Sequence, residues 1–283
     1  MNCTKAIIPV AGFGTRRLPI TKALQKSMLP VGNRPIVDYV VEDCVKAGIT
    51  DIYLGIDEVF GGEQVRAFYS RNSRLEAFLE DRGKTRELET LQSMYAGVKF
   101  HFYDAGYRQE EGYGTAIPVA RFDLPLADDE QILILMGDDF IFNPDGSSEV
   151  KRLLDAVEAA NVTAGMLAVE VPREEVSKYG VLDLDENHNL KRIIEKPNVN
   201  DAPSNLINIS KYIFNAELLE RTRELVKQPR TDGSEYYIVD PLTDYAKAGN
   251  AVVVQKVQGE YLDGGTLDGW MYANQRIYEA LTK

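Results

Sequence analysis

The sequence predicts an α/β fold in which a mainly parallel mixed sheet carries helices on both faces and gains antiparallel strands in its second half. Three observations predict this fold. Strand-like and helix-like segments alternate through the first 160 residues, β-rich segments follow, and no Pro/Gly/Ser-rich linker divides the chain. We therefore expect a single domain over residues 1–283, with halves at 1–160 and 161–283, the second ending in a C-terminal helix.

The first half predicts parallel strands joined by helices. Residues 6–11 are a continuous apolar run, typical of a strand covered on both faces. Apolar residues at three- and four-residue intervals predict a helix between Pro35, which suits a first helical turn, and Gly48, which suits a left-handed C-terminal cap. Further strands are expected at 51–56, 99–104 and 131–137, and further helices at 64–92 and 115–121. This alternation places a ligand site outside the carboxyl ends of the strands.

The second half predicts antiparallel pairing. A hairpin is expected from strands 180–185 and 190–195, which flank a polar turn at 186–189. The other expected strands are 162–171, 208–214 and 252–257. Helices are expected from residue 216, around 240–248, and from residue 266 to the end.

Composition excludes several functional classes. The chain has 283 residues, of which 44% are hydrophobic, and a formal net charge of −12, which argues against a binder of duplex nucleic acid. His101 and His188 lie far from each other and from any cysteine, so neither a zinc site nor a Ser-His-Asp triad is expected. Cys3 and Cys44 are expected to be reduced thiols. Without a signal peptide or a long apolar stretch, we expect a cytoplasmic protein that does not span a membrane.

A glycine-containing loop follows the first strand. In Ala11-Gly12-Phe13-Gly14-Thr15-Arg16, glycines at a strand end let backbone N–H groups approach a phosphate closely. The segment does not match the P-loop pattern. It is also not a dinucleotide-binding loop, because Arg17 stands where the third glycine of that loop belongs. The cations Arg16, Arg17, Lys22 and Lys26 come next. Each could be an ordinary solvated charge, but together they indicate a clamp for polyphosphate.

Two aspartates lie at predicted strand ends far apart in the chain. Asp138 follows the buried run 131–136, and Asp263 follows the short run 260–262. Two such carboxylates suit Mg²⁺, which is usually held by one or two carboxylates together with phosphate oxygens and water. The alternative is that Asp139 or Asp263 merely caps a turn or a helix, since Asp263 closely precedes the helix expected to begin near Thr266.

These motifs resemble those of the sugar-phosphate nucleotidyltransferases. The first segment reads Gly12-Phe13-Gly14-Thr15-Arg16, Leu18-Pro19, Lys26 and Met28-Leu29-Pro30. Later segments extend the likeness along the chain, and are most similar to the bacterial UTP:glucose-1-phosphate uridylyltransferases. Those segments are Gly137-Asp138-Asp139, Tyr179-Gly180-Val181, Glu195-Lys196-Pro197, Ala202–Leu206 and Tyr261–Gly265.

The resemblance implies a Rossmann-like fold of the nucleotide-diphospho-sugar transferase type, with a nucleotide-binding first half and a sugar-phosphate-binding second half. It implies transfer of a nucleotidyl group from UTP to glucose 1-phosphate, giving UDP-glucose and pyrophosphate, with Mg²⁺ held by Asp138 and Asp263. The implied catalytic residues are Arg16, Lys26, Asp138 and Lys196. Nucleotide binding is implied for Ala11, Gly12, Gly14, Thr15, Arg16, Gln109 and Gly114. Sugar-phosphate binding is implied for Gly180, Glu195 and Lys196.

The chain departs from the family pattern in four places, the first of which is Arg17, where an apolar residue is common. Gln25 stands where proline is usual, residues 110–115 read Glu-Glu-Gly-Tyr-Gly-Thr, and residues 234–239 read Ser-Glu-Tyr-Tyr-Ile-Val. The last two departures leave open another triphosphate, such as dTTP or CTP, or another hexose 1-phosphate.

Two further alternatives are a protein that binds a nucleotide sugar without catalysis and a glycosyltransferase, which would release a nucleoside diphosphate. The implied transfer needs no histidine base, because a phosphate monoester with a second pKa of about 6 is already largely dianionic at neutral pH. We also expect a homo-oligomer, either a dimer or a tetramer.

Overall fold

The structure, a computed structural model, describes residues 2–230 and 233–282. Within those ranges, no helix is both long enough and apolar enough to cross a membrane. The strands are β1 (Asn2–Pro9), β2 (Pro30–Val31), β3 (Arg34–Pro35), β4 (Asp51–Ile56), β5 (Lys99–Asp104), β6 (Glu130–Leu135), β7 (Asp139–Phe142), β8 (Gly165–Glu170), β9 (Gly180–Leu184), β10 (Leu190–Glu195), β11 (Leu206–Asn215), β12 (Val253–Lys256) and β13 (Glu260–Asp263). The α-helices are α1 (Ile36–Lys46), α2 (Gly62–Tyr69), α3 (Ser73–Asp81), α4 (Thr85–Ser93), α5 (Ala116–Ala120), α6 (Glu149–Ala159), α7 (Ala216–Lys227), α8 (Val239–Lys247) and α9 (Leu267–Leu281).

One nine-stranded mixed sheet contains strands from both halves of the chain. Its main path is β10-β9-β11-β6-β1-β4-β5, and β8 pairs with both β11 and β12. The strands β6, β1, β4 and β5 run parallel, whereas β11 runs antiparallel to β6. The predicted α/β fold, parallel in the first half and antiparallel in much of the second, is confirmed.

The sheet is covered on both faces, as its continuous apolar strands require. In β1, Ile8 packs into the core cluster that contains the buried side of α1, whereas Ile7 packs into the cluster that contains residues of α5, α7 and α8. Both isoleucines are fully buried. Because the helices occupy the two faces, the carboxyl edge of the parallel strands is the place where loops can gather around a ligand.

Several local predictions are confirmed. Gly48 has the predicted left-handed conformation, with φ at +91°, just beyond α1. The helical stretch expected over 64–92 is also confirmed, and it consists of three helices, α2, α3 and α4, separated at 70–72 and 82–84. Asn72 caps α3 through its side chain, which accepts a hydrogen bond from the N–H of Leu75, and Gly83 has a positive φ, so each break has a local cause.

Other elements were not predicted from the sequence. The helix α6 begins after Ser148, whose side chain accepts a hydrogen bond from the N–H of Lys151, and the short strands β2, β3 and β7 also went unpredicted. The most consequential is β7, because it pairs antiparallel with β13. This ladder brings the end of the chain to the carboxyl end of β6.

Candidate active site

The glycine loop leaves β1 at the carboxyl edge of the sheet and leads into three successive single-turn 3₁₀ helices. Gly14 has φ at +65°, and a Cβ placed there would lie 2.8 Å from the Cβ of Lys26. The Thr21 hydroxyl donates a hydrogen bond of 2.8 Å to the Gly14 carbonyl. The loop is therefore folded back on the segment that carries Lys26, which only glycine permits at this position.

Lys26 and Asp138 meet beneath this loop. Their Nζ and Oδ2 atoms are 2.5 Å apart, and the two side chains are 25% and 22% exposed. Burial alone would raise the pKa of Asp138, but the charges of Lys26, Lys211 and Arg16 outweigh burial and hold that pKa below its ordinary value. The carboxylate is consequently ionised at neutral pH and accessible from the cleft.

A second lysine–aspartate pair lies directly behind the first. Lys211 of β11, only 3% exposed, is hydrogen-bonded to Asp139, which also accepts a hydrogen bond of 2.9 Å from the Tyr261 hydroxyl. Burial raises the pKa of Asp139 despite the opposing charge of Lys211. Sequence reasoning missed Lys211, although a lysine inside a strand of mostly apolar residues was a usable signal.

The β7–β13 ladder places Asp263 beside Asp138 and Asp139. Asp263 is the register partner of Asp139, and the N–H of Gly264 donates to the Asp138 carbonyl at 3.1 Å. Asp263 also forms the turn before α9, since its Oδ1 accepts a hydrogen bond of 2.7 Å from the N–H of Gly265. The capping residue of α9 is nevertheless Thr266, whose side chain accepts from the N–H of Gly269.

The predicted cation clamp is divided by the structure. Arg16 is exposed, and its guanidinium would lie 3.2 Å from a Cβ placed on Gly265, so it points toward the Asp263 turn. Lys22 is also exposed. Arg17 differs from the expectation: it is buried, donates to the Thr266 carbonyl at 2.6 Å, and stacks on Trp270 with its guanidinium carbon 4.7 Å from the ring centre. Arg17 therefore attaches the loop to α9 and is not free to bind phosphate.

The predicted sugar-phosphate residues lie together where β9 begins and β10 ends. Gly180 pairs with Glu195, and a Cβ on Gly180 would lie 2.9 Å from the Glu195 Oε2. Lys196 follows with φ at +45°, and its side chain is 66% exposed. A positive φ is uncommon outside glycine, and such conformations concentrate at ligand sites.

The two residues expected to hold the base are separated. Gly114 lines a cleft of about 270 Å³, together with Ala11, Gly12, Lys26 and Asp138. Gln109 is exposed, in a single 3₁₀ turn, and is absent from the lining of that cleft. Gly114 also has a packing role, because a Cβ there would lie 2.3 Å from the Tyr236 carbonyl oxygen.

Thr15 begins the first 3₁₀ turn, is exposed, and is likewise absent from the lining of the cleft.

Sequence reasoning also missed the aromatic rim of the cleft. Phe13, Tyr107 and Tyr113 all line it, and each side chain is about half exposed.

A cleft at the carboxyl edge of a parallel sheet, with a glycine loop, a lysine and an ionised aspartate, defines an enzyme of nucleotide or phosphoryl chemistry. The family model for nucleotidyl transferases matches residues 5–280. The chain belongs to the nucleotidyl transferase family, and the resemblance seen in its motifs is confirmed. Enzymes of this family generally use a divalent metal ion.

Similar proteins share both sequence and fold along nearly the whole chain. A Methanocaldococcus jannaschii protein, provisionally named a UTP–glucose-1-phosphate uridylyltransferase, is 36% identical over 96% of this chain and 92% of the relative. The UTP–glucose-1-phosphate uridylyltransferase of Pseudomonas aeruginosa is 32% identical over 99% of this chain and 97% of its own. The solved structure of a UTP-bound UGPase from Acinetobacter baumannii has a TM-score of 0.86 at 25% identity, covering 98% of this chain and 93% of that one.

Proposed function

We propose that the protein transfers the uridylyl group of UTP to glucose 1-phosphate, forming UDP-glucose and pyrophosphate. The observation that carries this proposal is the cleft in which Lys26 and Asp138 meet beneath the glycine loop. It is supported by relatives named for this activity that match nearly the full length of the chain. A cytoplasmic location and a homo-oligomer, dimer or tetramer, belong to the same proposal.

The reaction is an in-line displacement at phosphorus. An oxygen of the sugar phosphate forms a bond to the α-phosphorus, the bond from that phosphorus to the bridging oxygen breaks, and pyrophosphate leaves with the electron pair. No general base is needed, because the attacking phosphate is already ionised at neutral pH. The obstacle is the repulsion between anions, so the side chains must supply positive charge and orientation.

The predicted site residues suit these tasks, and five of them line the cleft: Ala11, Gly12, Lys26, Gly114 and Asp138. The backbone of Ala11, Gly12, Gly14 and Thr15 would bind the triphosphate with Arg16 and Lys26. At the hairpin of β9 and β10, Lys196 would bind the phosphate of glucose 1-phosphate, while Glu195 would accept hydrogen bonds from sugar hydroxyls close to Gly180. Gly114 would contact the base; Gln109 would need the 109–111 turn to move inward.

Asp138 and Asp263 would hold the metal ion, for which Mg²⁺ is our proposal. A carboxylate in the turn just before β7 and another at the end of β13 fit an ion that completes its coordination with phosphate and water. Among residues 2–230 and 233–282, no group of three or more acidic, histidine or cysteine side chains could hold a metal ion by itself. When bound, such an ion would neutralise phosphate charge.

A substrate panel tests the proposal. The full chain would be incubated with Mg²⁺ and each of UTP, dTTP and CTP, paired with glucose 1-phosphate or another hexose 1-phosphate, and released pyrophosphate measured. We expect the fastest release with UTP and glucose 1-phosphate. Faster release with another pair would reassign the substrates. Binding of UDP-glucose without pyrophosphate release would indicate a non-catalytic binder, and release of UDP from UDP-glucose would indicate a glycosyltransferase.

A further inference from the structure

Gln25 is, with Arg17, one of two residues at which the glycine-loop segment departs from the family pattern, and it is almost completely buried, at 1% exposure. Its backbone has φ at −60° and ψ at 132°, a conformation that proline would also adopt. The replacement of proline has therefore not changed the path of the chain. It has instead added an amide side chain at the point between the glycine loop and Lys26.

That amide joins two parts of the site. Its Nε2 donates to the carbonyl of Val10 and, at 3.4 Å, to the carbonyl of Gly12, while its Oε1 accepts a hydrogen bond from the N–H of Ser27. Val10 and Gly12 belong to the start of the glycine loop, and Ser27 follows Lys26. One buried side chain thus ties the loop to the lysine turn from within.

A second glutamine supports the first. Gln64 of α2 accepts a hydrogen bond of 2.9 Å from the N–H of Gln25 and donates one of 2.8 Å to the carbonyl of Ala23. Proline has no N–H, so this contact exists only because residue 25 is not proline. Gly61, just before α2, packs on Gln25 so closely that a Cβ there would lie 2.8 Å from the Gln25 Cβ.

From these contacts we infer that Gln25 is a positioning residue, which holds Lys26 and the glycine loop as one unit for the triphosphate. The inference rests on the proposed function. Lys26 reaches along the loop, with its Cε 3.0 Å from where a Cβ on Gly12 would lie, so a shift between the two segments would separate the Lys26 ammonium from the loop amides. Loss of the tie should weaken binding of the triphosphate and leave the sugar-phosphate side unaffected.

The test compares Gln25→Met, which keeps the length of the side chain, with Asn215→Leu. Asn215 is the matched control because it is also a buried amide, which donates to Thr163 and Tyr245 and accepts from the N–H of Leu218. It lies opposite Gln131, toward the other edge of the sheet. Both variants should lower the melting temperature, which is the shared structural effect.

Only Gln25→Met should change the kinetics selectively. We expect its KM for UTP to rise about tenfold, as the loss of one or two effective hydrogen bonds predicts, with the KM for glucose 1-phosphate within about twofold. Asn215→Leu should leave both constants within about twofold. An unchanged KM for UTP in Gln25→Met, or an equal rise in both constants, would overturn the positioning role.

Binding measurements separate this inference from the proposed function. Calorimetric titration of UTP into Lys26→Met and into the Gln25→Met/Lys26→Met double variant should give the same Kd, because Gln25 acts through Lys26. A weaker affinity for UTP in the double variant than in Lys26→Met would contradict the conclusion that Gln25 acts through Lys26. If the unmodified chain binds UTP but releases no pyrophosphate, the proposed function fails while the role of Gln25 is still decided by these titrations. If Gln25→Met does not fold, Gln64→Met provides the same comparison, because Gln64 is partly exposed and hydrogen-bonded to Gln25. Its KM for UTP is expected to rise about threefold.

Discussion

The two lysine–aspartate pairs at the end of β6 have the same composition but opposite surroundings. Lys26 and Asp138 are about a quarter exposed and face the cleft. Lys211 is buried, the Asp139 side chain is only 14% exposed, and Tyr261 closes the second pair from the other side. The pKa of Asp138 is lowered and that of Asp139 is raised. Adjacent carboxylates can thus have separate tasks, one accessible to a ligand and the other holding the strands that present it.

The largest effect should come from breaking the buried pair. Lys211→Met leaves the Asp139 carboxylate buried without its cation, which should lower the free energy of unfolding by about 3–5 kcal/mol. Urea denaturation at pH 7 measures this loss. Lys26→Met, which removes the same charge from the exposed pair, should cost clearly less stability; equal losses would contradict the distinction between the pairs.

Breaking the accessible pair should instead affect turnover. Asp138→Asn should reduce the rate of pyrophosphate release by about 10²–10³-fold, the range seen when one charge-stabilising group is removed from an active site. The melting temperature should change little. Asp145→Asn, at an exposed aspartate in the loop after β7, is the control and should retain full turnover. Near-normal turnover of Asp138→Asn would remove Asp138 from the metal and catalytic roles.

A smaller effect is expected at the hairpin of β9 and β10. Lys196→Ala should raise the KM for glucose 1-phosphate by about tenfold, as for the loss of one charge-assisted hydrogen bond, and leave the KM for UTP within about twofold. Lys191→Ala removes an exposed lysine from β10, the strand that ends just before Lys196, and should change neither constant. If the two variants behave alike, Lys196 is an ordinary surface charge.

The smallest effect should appear in the pH dependence of stability. The pKa of Asp138 is lower in the folded chain than its ordinary value of 3.8, so its contribution to stability is present above that pH and is lost as the pH falls through the folded pKa. The difference in unfolding free energy between the unmodified chain and Asp138→Asn should therefore shrink below about pH 4. Chemical denaturation from pH 3 to 7 measures it, and a difference that grows with acid would contradict the lowered pKa.

The sequence predicted the parts of the fold that depend on local patterns. The apolar run of β1, the period of α1 and the glycine at position 48 each record a local requirement, and each was confirmed. The breaks between α2, α3 and α4 were not located within the stretch predicted to be helical, because they depend on the Asn72 cap and on the positive φ of Gly83. The strand β7 has only four residues and becomes a strand through its pairing with β13, which no local pattern records.

The site was predictable to a similar degree. Asp138 and Lys26 were expected at one edge of the sheet, and the structure brings them into contact. The orientation of Arg17 was not predictable, because it depends on Trp270, which is distant in sequence. Lys211 was also not predicted as a site residue. Its burial is acceptable only because its side chain contacts Asp139, and a contact between residues so distant in sequence is a tertiary property.

The ladder between β7 and β13 also bears on how the protein is made. It joins residues as far apart as Asp139 and Tyr261, which are separated by 122 positions. Contacts of such long sequence separation form late in folding, because the intervening loop must first be closed. During synthesis on the ribosome, Asp263 therefore cannot join Asp138 and Asp139 until β13 has emerged. A chain interrupted before that point would have the glycine loop without Asp263 and should not turn over substrate.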